Sequence, residues 1–410
     1  MFGLVLEGGG AKGAYQIGAW KALRELNIDI GGVAGTSVGA LNGAMILQGD
    51  FEKAWNIWYD ISFDKIINNI DEKEIEAIRN KEVRPENLIF AVKKLRELFS
   101  ERGLDITPLR KLISENVSED KIRSSGKDFG IVTVELTDLK PVEIYIEDIP
   151  YGKLADYLLA SANLPIFKME KIDGKLFIDG GVFDNLPVGL LAAKGYKDII
   201  VIRLHGLGRV RGVNRKKLNL IVIEPSEDLG GILDFSAERA RVNLQLGYYD
   251  TLKVVNKYSG THYYIKESYP EDYYARFFFN MNPRTVSQLA EIIGLNEKIP
   301  CYRLLFEKVI PRIADILDLG PKATYKDIII DILERAARTA EIEKFRIYEF
   351  EEFLQTVLSR HQKSSQGISN KIPRILRKSD LVLKTVKDQL LPEIVDVFIE
   401  ELKLQLKNNA

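Results

Sequence analysis

The sequence predicts an α/β domain, a mostly parallel sheet sandwiched by helices, followed by an α-helical C-terminal domain. Three observations predict it. Strand-like and helix-like segments alternate over the first 250 or so residues, as in parallel βαβ units. Two of the early strands end abruptly in glycine turns that lead straight into helices, at 2–26 and at 28–47. From about residue 283 onward the apolar spacing is helical, with no convincing strand. The expected domains are therefore 1–282 and 283–410.

In chain order, the apolar run 2–6 reads as a buried strand that stops at Gly8-Gly9-Gly10. Beyond Gly13, the residues Ile17, Trp20, Leu23 and Leu26 share one helical face. A second strand at 28–34 leads into Gly35-Thr36-Ser37-Val38-Gly39 and a mostly apolar helix. Residues 51–99 are helical by pattern, and 104–117 form another helix. Strands at 129–136 and 142–146 flank a polar turn. A helix at 151–163 is stopped by Pro165. The short strand 176–178 runs into Asp179-Gly180-Gly181, and the β-branched runs 198–203 and 218–223 have the character of buried parallel strands. Helices are expected at 285–294, 302–317, 325–342 and 345–360. A linker at 362–378 then leads to an amphipathic stretch, 381–406, bent at Pro392.

Composition narrows the function. With 46% hydrophobic and 29% charged residues, the chain is an ordinary globular protein. A formal net charge of −1 gives no support for nucleic-acid binding. One cysteine, Cys301, leaves no internal disulfide and no cysteine-rich metal site. The three histidines, His205, His262 and His361, are too far apart in sequence to suggest a metal cluster, and no metal is expected. No basic segment and apolar run precede the first strand, and no window reaches membrane-spanning length. The expectation is a cytoplasmic protein that visits membrane surfaces at most transiently. Basic residues of the linker, Lys363, Lys371, Arg374, Arg377 and Lys378, either touch anionic lipid or are solvated.

The first glycine loop, Gly8, Gly9, Gly10, Lys12 and Gly13, joins a strand end to a helix N-terminus and so makes an anion site. Gly8-x-Gly10-x-x-Gly13 also matches a dinucleotide fingerprint, with Asp29 at the spacing of a ribose-binding acid. Such an acid belongs at the carboxyl end of the second strand, whereas Asp29 stands at its beginning. The strand's end holds Gly35, Thr36 and Ser37 instead. Gly35-x-Ser37-x-Gly39 between strand and helix meets the condition for a nucleophile elbow. The plainer role for Ser37 is to cap a helix. A serine nucleophile needs a base, and no histidine here has a motif around it, although His205 follows a strand. Asp179 ends a strand beside two glycines, and a desolvated carboxylate can serve. Alone, it reads as a turn residue.

Taken together, the glycine loop, the elbow and Asp179-Gly180-Gly181 resemble the patatin-like phospholipases, over roughly 1–257. The segment Ala160-Ser161-Ala162-Asn163-Leu164-Pro165 resembles the one preceding that family's aspartate motif. The resemblance implies a serine lipid acyl hydrolase with a Ser37–Asp179 dyad on an α/β scaffold. It implies oxyanion donors from the Gly8–Gly10 loop joined by Val38, an acyl-ester lipid as substrate, and a mechanism without metal or organic cofactor. Lys12 stands where the family usually has arginine, and Glu7 where glycine or aspartate is common. Other acyl esters or thioesters, a nucleotide ligand, and a non-catalytic interaction protein are the competing readings. An aromatic-rich segment, Tyr269, Tyr273, Tyr274, Phe277, Phe278 and Phe279, suits either an acyl groove or packing between domains.

Overall fold

The computed structural model describes residues 1–68, 103–138, 140–168, 171–214, 217–295, 299–320, 322–363 and 380–409. Its contacts divide the chain into two units, Met1–Asn256 and Lys257–Ala410. The divide falls before the 282/283 boundary expected from the sequence because Tyr263, Ile265, Tyr274 and Phe278 pack into the core of the helical unit.

The first unit is built on an eight-stranded sheet. Its main path runs β5 (Lys171–Ile172), β6 (Lys175–Asp179), β3 (Asp128–Glu135), β2 (Ile30–Thr36), β1 (Phe2–Leu6), β7 (Asp198–Ile202) and β8 (Asn219–Ile223), and β4 (Lys140–Tyr145) pairs with β3. The pairs β1–β2, β1–β7, β2–β3 and β7–β8 are parallel. Those involving β4, β5 and β6 are antiparallel. The expected α/β class with a largely parallel sheet is therefore what the chain forms. Val5, Ala34, Val132 and Val201, from four adjacent strands, pack with Leu190 and Leu191 of the helix Val188–Ala193 in one core cluster. The central parallel strands β1, β2 and β7 are buried at nearly every position because both faces of the sheet are covered there.

One register positions the site. On β3, Gly130 to Glu135 pair with β4 along one edge. The opposite edge is shared by two strands: Thr36 of β2 pairs with Val132, and Asp179 of β6 pairs with the next residue, Thr133. Parallel β2 and antiparallel β6 thus meet end to end. The last residue of each strand arrives at the same place.

Three helices follow the two glycine turns: α1 (Ala14–Glu25), α2 (Val38–Gln48) and α3 (Phe51–Tyr59). Beyond Tyr59 the chain leaves the expected helix for a 3₁₀ turn at Phe63–Lys65, and the rest of that expectation, 69–99, lies outside the described residues. In the second unit, helices at Glu271–Phe279, Pro283–Ile292, Tyr325–Thr339, Phe350–Arg360 and Asp380–Asn409 surround one apolar core. Asp380–Asn409 continues across Pro392. The sequence predicts no strand from about residue 283 onward, yet Ile347–Glu349 pairs in parallel with Tyr264–Lys266. Three-residue strands are too short to leave a period in the sequence. The linker residues Lys371, Arg374, Arg377 and Lys378 lie outside the described residues. Among the described residues no helix is long and apolar enough to cross a membrane.

Candidate active site

Ser37 is the single residue between β2 and α2, with φ 56° and ψ −127°. A non-glycine residue is held there only by its surroundings. A Cβ at position 35 would sit 2.3 Å from the Gly39 carbonyl oxygen, and one at position 39 would sit 2.3 Å from that of Leu6. Both flanking glycines are therefore required for the turn to close. The Thr36 hydroxyl donates to the Asp184 carbonyl at 2.8 Å. The Ser37 N–H donates to Ser161 Oγ at 2.9 Å, and that hydroxyl donates onward to the Val132 carbonyl at 2.6 Å. Ser161 thereby ties the elbow to β3.

Asp179, at the end of β6, is buried. Its Oδ1 accepts the Gly181 N–H at 2.7 Å, while Oδ2 has no hydrogen-bond partner among the described residues. Burial pushes its carboxyl up to about 6, and the nearby Ser37 hydroxyl and the Gly181 amide pull the other way. Gly9, Gly10, Ser37, Asp179 and Asn185 line one small cavity. Ser37 and Gly10 also open onto a second, almost wholly apolar cavity, walled by Leu41, Trp58, Ile113 and Phe235 among others.

The glycine loop divides its labour. The Gly8 N–H donates to the Asn185 carbonyl at 3.1 Å, and Asn185 Nδ2 returns a bond to the Gly8 carbonyl at 3.1 Å. Gly8 is thus a fixed post, not a free donor. Among the described residues the N–H groups of Gly9, Gly10 and Val38 have no acceptor. Gly10 has φ 56°, and a Cβ there would lie 2.1 Å from the Ile232 carbonyl oxygen. Gly13 abuts Val38 and Trp58, its carbonyl accepting from Asn42 Nδ2 at 3.0 Å.

The two departures at Glu7 and Lys12 have partners. Buried Glu7 accepts the backbone N–H of Leu204 at 2.6 Å and of His205 at 3.0 Å, and pairs with Arg203 Nε at 3.0 Å. Lys12 Nζ donates to the His205 carbonyl at 3.2 Å; desolvation lowers its pKa, against the pull of Asp228 and Glu7. Together they staple residues 203–205, which lead to Leu207 on the wall of the small cavity. Glu7→Ala is expected to destabilise the fold by about 3 kcal/mol, the scale of a broken buried ion pair. Denaturant titration measures it; an unchanged midpoint would contradict the staple.

In the first unit no described histidine lines the cavities at Ser37. His205 is exposed and lines neither cavity, whereas His361 is buried in the second unit against Asp396 at 2.8 Å. His262 also lies in the second unit. His205→Ala, His262→Ala and His361→Ala should each stay within about threefold of the parent's esterase rate. A loss of about a hundredfold or more, the scale of a missing general base, would restore a triad. Asp29 sits before β2, its carbonyl accepting the Phe2 N–H at 2.8 Å, far along the strand from where a ribose would lie. Tyr274 and Phe278 are fully buried in the second unit, and the apolar cavity takes its walls from residues 10–235. Among the described residues no three His, Cys, Asp or Glu side chains gather as a metal site. Sequence reasoning did not single out Asn185 or Leu207. Asn185's only signal is its place just past Asp179-Gly180-Gly181, and Leu207 has none.

The patatin-like phospholipase family model matches residues 4–192. A patatin-like phospholipase domain-containing protein 7 of Rattus norvegicus is 26% identical over 48% of this chain and 13% of its own length. The neuropathy target esterase sws of Drosophila melanogaster is 28% identical over 49% of this chain and 12% of its own. An uncharacterized NTE family protein of Mycobacterium bovis is 26% identical over 50% of this chain and 49% of its own. The matches thus span about half of this chain and at most about half of those relatives. Among solved structures, VipD from Legionella pneumophila aligns with a TM-score of 0.39 at 16% identity, over 98% of this chain and 91% of that one.

Proposed function

We propose, on the premise that residues 4–192 form a patatin-like phospholipase domain, that this chain is a serine lipid acyl hydrolase of phospholipase A or lysophospholipase type. The carrying observation is a buried carboxylate, Asp179, raised to about 6 beside a serine in a strained turn that opens onto an apolar cavity. Ser37 Oγ attacks the ester carbonyl carbon while Asp179 takes the hydroxyl proton. The C=O π pair moves onto oxygen, and the N–H groups of Gly9, Gly10 and Val38 receive that charge. Each such donor contributes about 3–4 kcal/mol at the transition state. Collapse expels the alcohol with the proton from Asp179 and leaves an acyl-serine. Water, deprotonated by Asp179, then attacks the acyl carbon, and collapse frees the acid as the proton passes from Asp179 to Ser37 Oγ.

The acyl chain lies in the apolar cavity, and the lipid's polar part remains outside it. Peptide mapping after treatment with a fluorophosphonate tests the reading. The label is expected on Ser37, and hydrolysis of lysophosphatidylcholine is expected from the unlabelled enzyme. Label on another serine would contradict the nucleophile. Hydrolysis confined to thioesters or short non-lipid esters would contradict the substrate class.

A further inference from the structure

One helix face lines the apolar cavity along two turns. Val38, Leu41, Asn42 and Met45, at spacings of three, four and seven, all line it, so they form a single stripe along α2. The stripe begins beside Ser37. Asn42 interrupts it without making it polar. Its amide nitrogen donates to the Gly13 carbonyl and to Gln16 Oε1, and its oxygen accepts from Trp58 Nε1 at 2.9 Å. The opposite wall is apolar, from Ile57, Leu112 and Ile113.

A polar plate stands at the Met45 end of this stripe. Buried Gln48, one turn beyond Met45, donates to the Asn116 carbonyl at 2.9 Å and accepts the Ser118 N–H at 2.9 Å. The same amide lies 3.5 Å from Met45 Sδ. Asn116 and Val117 are themselves cavity lining. A terminal methyl that reached this plate would have to break satisfied hydrogen bonds and could replace none of them. The apolar stripe of α2 therefore ends at Met45.

We infer that Met45, backed by Gln48, is the stop that sets the longest acyl chain the site accepts. The inference rests on the hydrolase reading and adds the substrate's chain length to it. From Val38 to Met45 the helix rises about 10 Å, at about 1.5 Å per residue. An extended chain advances about 1.25 Å per carbon, given C–C bonds of about 1.5 Å. About eight carbons beyond the carbonyl thus span the stripe, so the favoured acyl groups are octanoyl to decanoyl. Each methylene that gains apolar surface improves kcat/KM about fourfold until the stop is met.

The test is kcat/KM for p-nitrophenyl esters from butyrate to palmitate, with fluorophosphonate labelling of Ser37 followed in parallel. The parent enzyme should peak at octanoate or decanoate. In Met45→Trp the decanoate-to-butyrate ratio should fall at least about tenfold. In Met45→Ala the optimum should move up by about two carbons. If the tryptophan variant does not fold, the upward shift in Met45→Ala decides alone. Chain-length profiles that stay the same in the variants while Ser37 is labelled would overturn the stop and leave the hydrolase standing. An enzyme that neither labels nor hydrolyses any ester of the series overturns both.

Discussion

Ser37→Gly should abolish activity and raise stability at once. Without Oγ no acyl-enzyme forms, and kcat should fall about a millionfold, the scale for removing a serine nucleophile. The same residue holds φ 56° and ψ −127°, a conformation that costs a side-chain-bearing residue about 1–3 kcal/mol and glycine little. Glycine also loosens the unfolded chain, which offsets part of the gain. The net expectation is about 1 kcal/mol of added stability, read as a higher denaturation midpoint. Ser37→Ala, which keeps the Cβ and its strain, should lose activity equally and leave the midpoint near the parent's. Equal midpoints for the glycine and alanine variants would mean that the turn stores no strain.

Asp179→Asn should lower kcat by about two to four orders of magnitude, the contribution of a positioned general base. Asparagine keeps the shape and an acceptor for the Gly181 N–H but cannot take a proton. Its effect on stability should have the opposite sign and depend on pH. The folded-state pKa of about 6 lies above the ordinary aspartate value of 3.8, so the folded state binds the proton more tightly than the unfolded chain. The stability this contributes is full below about pH 4 and is lost as pH rises through about 6. At about 1.4 kcal/mol per pH unit, the loss comes to roughly 2–3 kcal/mol. Asparagine does not titrate, so the variant should gain on the parent across that window and match it in acid. Parallel stability curves from pH 4 to 8 would show that Asp179 titrates normally and is only a turn residue.

The fold class was legible because the β-branched runs and glycine turns of the first unit are long and regular enough to carry a period. The meeting of Ser37 and Asp179 was legible only through motif order. Its physical cause, two strands ending head to head on one edge of β3, is a matter of sheet register that no local pattern records. The binding of Gly8 to Asn185 was hidden for the same reason, since 177 residues separate the partners. Glu7 looked like a departure in sequence. Its meaning came from Arg203 and the Leu204 and His205 amides, brought alongside β1 by its parallel pairing with β7. The helical unit's two short strands were invisible because a three-residue pair has no period.

The measurement that reaches the dyad most directly is the rate of fluorophosphonate labelling at Ser37 as a function of pH. This step needs only the nucleophile and its base, and neither substrate binding nor product release enters it. The rate should rise through a single ionisation with a midpoint near 6, the pKa to which burial raises Asp179, and stay level up to about pH 8. In Asp179→Asn that limb should vanish and the plateau should drop by about two orders of magnitude or more. A parent rate independent of pH across this range, or an asparagine variant labelled as fast as the parent, would contradict the dyad.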